Sequence, residues 1–103
     1  MSDEKIQQLT MIEQTMQQYL QQKQQIQAQL MEFESALEEL GKTEKAYKIV
    51  GNIMVSTEKN VLKKDLEEKK NIFDVRLKAV EAQENNLKEK AKKLREEAMN
   101  EMK

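Results

Sequence analysis

From residue 3 to residue 41, apolar side chains return at alternating steps of three and four: Leu9, Ile12, Met16, Tyr19, Ile26, Leu30, Phe33, Leu37 and Leu40, with Lys23 filling the one polar place in the series. That is the period of a coiled-coil seam, and it predicts a single long helix. Ser2 stands ready to cap it, and Asp3 and Glu4 suit the positive end of its dipole. The Gln-rich tract QQYLQQKQQIQAQL keeps the apolar spacing without a slip, and Gln favours helix, so this tract reads as a solvated face. The pattern resumes after residue 57. Leu66, Lys70, Phe73, Leu77, Val80, Glu84, Leu87, Ala91, Leu94 and Ala98 form a second seam and predict a helix over 58–102, with Lys70 and Glu84 as its polar members. At a rise of about 1.5 Å per residue, the two helices would be roughly 55 and 60 Å long.

Between the helices the period changes. Gly41 is placed to end the first helix as its C′ residue, and a short polar connection leads into AYKIVGNIMVST, residues 46–57, where apolar groups fall on both faces of an alternating strand pattern. Gly51-Asn52 suits a two-residue hairpin turn, so 42–57 reads as a loop and β-hairpin. Tyr47 and Ile49 share one face, Ala46 and Val50 the other, and Ile53, Met54 and Val55 continue the pattern beyond the turn. A lone two-stranded hairpin is marginal in water and exposes unpaired backbone groups along both edges, so this one calls for other hairpins. Tyr47, Ile49, Val50, Gly51, Ile53, Met54 and Val55 are the candidate assembly residues. The reversal lays the helices antiparallel, and facing seam positions match when their numbers sum to near 103, as Leu9 with Leu94, Met16 with Leu87 and Leu30 with Phe73. The same register brings Lys23 one layer from Glu84, close enough either to pair as a polar layer that fixes register or to extend separately past the seam into solvent.

Composition narrows the class. The chain has 103 residues, 36% of them charged, no Pro and only two Gly, and its mean hydropathy is -0.89. A thick globular core is not expected; a single mainly α domain of long helices is. With a net charge of -1 and no basic stripe standing out, the chain offers no general attraction to nucleic acid or anionic lipid. Cys and His are both absent, which removes disulfides, thiolate and imidazole metal sites and the commonest general base. The acidic, polar start and the lack of a long apolar run point to a soluble intracellular chain without a membrane partner.

The order long helix, KAYKIVGNIMVSTEKN, long helix resembles the β class of prefoldin subunits, chaperones of archaea and eukaryotes, and the segment YKIVGNIMV is similar to that class's hairpin motif. The α class carries two hairpins, and this chain has room for one. The resemblance implies that the hairpins of two α-class and four β-class subunits join in a β-barrel platform, with antiparallel coiled coils hanging from it. It further implies that the coiled-coil tips hold unfolded client proteins and deliver them to a group II chaperonin in the cytoplasm, without ATP.

Apolar residues outside the seam bear on that role. Ile6, Met11, Met99 and Met102 lie near the chain ends, and methionine's flexible, polarizable side chain suits a surface that accepts many apolar sequences. With the end-layer residues Leu9, Leu94 and Ala98 they make up the candidate client-binding set. Leu20, Met31, Ile72 and Val75 are further apolar positions off the seam. Nothing in the sequence supports catalysis, a metal or a cofactor. Adjacent acids such as Glu38-Glu39, Glu67-Glu68 and Glu96-Glu97 diverge by about 100° on a helix and cannot share a substrate proton. The reading from another class is a tethering coiled coil that the hairpin merely assembles.

Overall fold

In a computed structural model that describes residues 3–101, helix α1 spans Asp3–Lys42, strands β1 and β2 span Ala46–Val50 and Ile53–Thr57, and helix α2 spans Lys59–Glu101. Ser2 and Met102 lie outside the described residues. The described residues divide into two compact units, one made of the stretches that end at Gln25 and begin at Leu77, the other of Ile26–Arg76.

The first, which holds both chain ends, is built on the predicted seam. Ile12, Ala91 and Leu94 form its buried centre, with Leu9, Met16 and Leu87 packed against them. Val80 and Ala98 are also buried, Ala98 with no exposed surface at all. The helices run antiparallel here, because Lys5 pairs with Glu97 and Glu101 while Lys23 pairs with Glu84. Within α1, Thr10 and Thr15 satisfy their hydroxyls by donating to the carbonyls of Ile6 and Met11, each at 2.9 Å. The polar layer forms as the register requires. Lys23 Nζ donates to Glu84 Oε1 at 2.9 Å and Oε2 at 3.3 Å, and Glu84, only 6% exposed, has its charge met inside the seam.

The second unit holds the hairpin. Leu30 and Leu40 are buried along α1, and the rings of Phe33 and Phe73 meet edge to face with centroids 5.2 Å apart and planes at 88°. The Arg76 guanidinium lies 5.1 Å from the Phe73 ring centroid, a cation–π contact that covers the aromatic pair. Lys70, the other polar seam residue, reaches Glu34 at 3.7 Å. Each polar exception to the seam period therefore has a partner of opposite charge.

Gly41 departs from expectation. α1 continues through it to Lys42, and Gly51 is the glycine with positive φ. Two features make a left-handed cap unnecessary. Lys42 lies 3.6 Å from Glu38 within the last turn, where a cation suits the negative end of the helix dipole. Thr43 Oγ1 then donates to the Lys45 carbonyl at 3.0 Å and turns the chain toward β1. At the start of α2 the Glu58 carbonyl accepts the first helical hydrogen bond, from the Leu62 N–H at 3.0 Å, so Glu58 is the N-cap rather than a helical residue.

Replacing Lys23 and Glu84 together by Leu substitutes apolar packing for a desolvated ion pair. The expected effect is neutral to stabilising by about 1 to 4 kcal/mol, seen as a rise of several degrees in the circular-dichroism melting temperature. Lys23→Leu alone leaves Glu84 buried without its cation and should lower it.

Candidate functional site

The hairpin has the expected two-residue turn at Gly51-Asn52. Val50 pairs with Ile53 across the turn, followed by Ile49 with Met54, Lys48 with Val55, Tyr47 with Ser56 and Ala46 with Thr57. Gly51 has φ +61° and Asn52 has negative φ, the pattern of a type II′ turn, which needs glycine at its first central position. Alternation places Tyr47, Ile49, Met54 and Ser56 on one face and Ala46, Lys48, Val50, Ile53, Val55 and Thr57 on the other. Ala46 is buried, at the foot of the hairpin. Tyr47, Ile49, Val50, Ile53, Met54 and Val55 are all exposed, Ile49 to 70%. Both faces thus present large apolar side chains to water, and each strand of this two-stranded sheet has one edge without a strand partner among the described residues. A surface of this kind is completed by sheet pairing and apolar packing from other chains.

In the chain-end unit the candidate client-binding residues separate into two sets. Ile6, Met11 and Met99 are exposed, at 46, 67 and 63%. Leu94 and Ala98 are buried between the helices and Leu9 is half-buried. These three hold the helix pair together, and Leu94 and Ala98 present no surface to a client while it stays closed. Their seam spacing already assigned them to packing. Ile6 and Met11, five residues apart on one helix, point about 140° away from each other, so the exposed residues do not form one patch. Met11 borders a groove of about 310 Å³ together with Gln8, Thr15 and Lys90, over Ile12 and Leu87. Five-residue spacing, read as an angle, carries this split in the sequence itself.

Lys5 occupies the seam position before Leu9 and is held by the carboxylates opposite. The hydrogen bond that the Lys5 ammonium donates to the Glu101 carboxylate comes first, with attraction to Glu101 and Glu97 adding to it, and together these outweigh desolvation and keep the Lys5 ammonium protonated above the usual lysine range. On the alkaline side, its stabilising contribution is present at neutral pH and is lost as strongly alkaline pH deprotonates the ammonium. Among the described residues no group of three or more acids is arranged to hold a metal ion, and no helix is long and apolar enough to cross a membrane.

Residues 3–103 match the prefoldin subunit family. The chain is 43% identical over 90 residues to the prefoldin subunit beta of Thermococcus onnurineus, covering 84% of this chain and 78% of that one. It is 40% identical over 86 residues to the prefoldin subunit beta of Archaeoglobus fulgidus, covering 81% and 74%. The crystal structure of the prefoldin beta subunit from Thermococcus strain KS-1 superimposes with a TM-score of 0.86 at 38% identity, over 90% of this chain and 84% of that one.

Gly51→Val tests the turn. An added Cβ at Gly51 meets nothing within 4 Å, so the cost is conformational, about 1 to 3 kcal/mol for a β-branched residue held at positive φ. Analytical ultracentrifugation should show weakened assembly while the helical circular-dichroism signal is largely kept. Gly51→Asn should be milder, since Asn tolerates positive φ better than Val.

Proposed function

Because the chain belongs to the prefoldin family, as a β-type chaperone subunit that assembles with other prefoldin subunits, we propose that it works as an ATP-independent holdase in a hetero-hexamer of two α-class and four β-class chains. Its hairpin joins the platform of that complex. Its chain-end unit holds non-native clients and delivers them to a group II chaperonin in the cytoplasm. It needs no cofactor and catalyses no reaction.

The observation that carries this reading is where the exposed apolar side chains lie. The hairpin presents six, and assembly covers such a surface. Ile6, Met11 and Met99 are exposed in the unit that the hairpin does not enter, and they stay open after the platform forms. Burying apolar surface on a client gains about 25 cal/mol per Å², so three separated side chains bind weakly on one subunit. Several subunits acting on one client multiply that contribution through effective concentration. Weak individual contacts also allow release without an energy source, and methionine adapts to apolar segments of different shape.

The experiment is a triple variant, Ile6→Gln, Met11→Gln and Met99→Gln, which leaves the hairpin and every seam layer in place. With its α-class partner it should assemble like the parent. It should suppress aggregation of a denatured client several-fold less well than the parent at equal concentration. Full protection by the assembled variant would move capture away from these three residues. No protection by the parent complex would leave only a tethering role.

A further inference from the structure

Five cations, Lys88, Lys90, Lys92, Lys93 and Arg95, fall within eight residues of α2, against the single carboxylate of Glu89. All five are exposed. Among the described residues, none of them lies within ion-pair distance of a carboxylate, whereas Lys5 and Lys23 of the same unit are both paired. Lys88, Lys92 and Arg95 follow one another at i, i+4 and i+7 and so share a flank of the helix, while Lys90 projects about 200° away from Lys88. Lys88 and Arg95 line a groove of about 290 Å³ whose floor is apolar, made by Ile12, Met16, Leu87 and Ala91. On its α1 side the groove is bordered by the carboxylate of Glu13 and by Gln17, so both cations that line it, Lys88 and Arg95, lie along α2 and outnumber the one anion opposite.

We infer that this groove selects apolar client segments flanked by acidic residues. The inference rests on the client-capture reading and names the chemistry of what is captured. The floor rewards apolar side chains by removing them from water. The rim then discriminates among apolar segments, because carboxylates placed beside Lys88 and Arg95 at the groove, with Lys92 next to them on the same flank, are attracted while lysines or arginines there meet like charge. The net charge of -1 gives no such preference by itself, so the selection is local to this flank. A polyanion without apolar groups gains nothing from the floor, and none of the residues lining the groove is an aromatic on which a base could stack.

The test uses the assembled complex and fluorescein-labelled peptides that share one pattern of Leu and Phe and differ only in having Glu or Lys at the intervening positions. Fluorescence anisotropy at low salt should show the Glu peptide binding about tenfold more tightly than the Lys peptide, the combined effect of three exposed charge contacts on each subunit. The ratio should shrink as added salt screens the rim. In the variant Lys88→Gln, Lys92→Gln, Arg95→Gln the ratio should fall below about twofold. In the control Lys63→Gln, Lys64→Gln, Lys78→Gln, which removes the same number of positive charges elsewhere, it should persist. Equal binding of the two peptides by the parent, or a ratio that survives in the groove variant, would overturn the charge selection while leaving client capture standing. Failure to bind either peptide, together with failure to suppress client aggregation, would overturn the capture reading as well. Tight binding of a single-stranded oligonucleotide that the groove variant loses, with neither peptide bound, would reassign the flank to a polyanion.

Discussion

A two-stranded sheet has two open edges and, in this chain, two apolar faces. Backbone N–H and C=O groups along an edge are satisfied by water only as long as the strands stay apart from other chains, and large apolar side chains on both faces make isolation unfavourable. Ala46 is buried at the foot of the hairpin, but Tyr47, Ile49, Val50, Ile53, Met54 and Val55 are exposed. The type II′ turn at Gly51 sets which residues face which way, and hence what a neighbouring chain meets. The subunit is therefore completed by assembly, and the helices have to be compatible with that requirement.

They meet it by being thin. One seam per helix buries small numbers of side chains, enough to hold a pair but not to build a core that would enclose the hairpin. Charge inside the seam is tolerated because it is matched. Lys23 meets Glu84, Lys70 meets Glu34 and Lys5 meets Glu97 and Glu101. The Lys23–Glu84 layer contributes specificity more than stability, since sliding the helices by one heptad would separate a buried carboxylate from its cation. A thin pair also leaves most of each helix facing solvent, and that is what makes room for exposed apolar and basic groups beside the seam.

Most of the architecture was legible in the sequence because each part rests on a local rule. Every predicted seam position is buried or half-buried, and the hairpin register follows from the two-residue turn. Where prediction failed, local rules competed. Gly41 looked like a cap, yet the Lys42 cation and the Thr43 turn end the helix without one. Glu58 looked helical but supplies only the capping carbonyl. Ile6, Leu9, Met11, Leu94, Ala98 and Met99 share nearness to the chain ends in the sequence. Packing divides them, burying Leu94 and Ala98 and sending Ile6 and Met11 to different flanks. The basic flank from Lys88 to Arg95 was masked by a charge balance averaged over the whole chain. The flank spans only about two helical turns, and its meaning depends on the apolar groove beside it, which involves residues more than 70 positions earlier.

The central claim is that one set of exposed apolar residues is consumed by assembly and another is kept for clients. Methionine reports on both, because oxidation by peroxide follows exposure, and Met11, Met54 and Met99 are almost equally exposed in the single chain, at 67, 65 and 63%. Peptide mass spectrometry after a brief peroxide pulse should find all three reactive in the isolated subunit. In the assembled complex Met54 should be protected and Met11 and Met99 should stay reactive. Addition of a denatured client should then protect Met11 and Met99. A Met54 that stays reactive in the complex, or a Met11 and Met99 already protected before any client is added, would contradict the account.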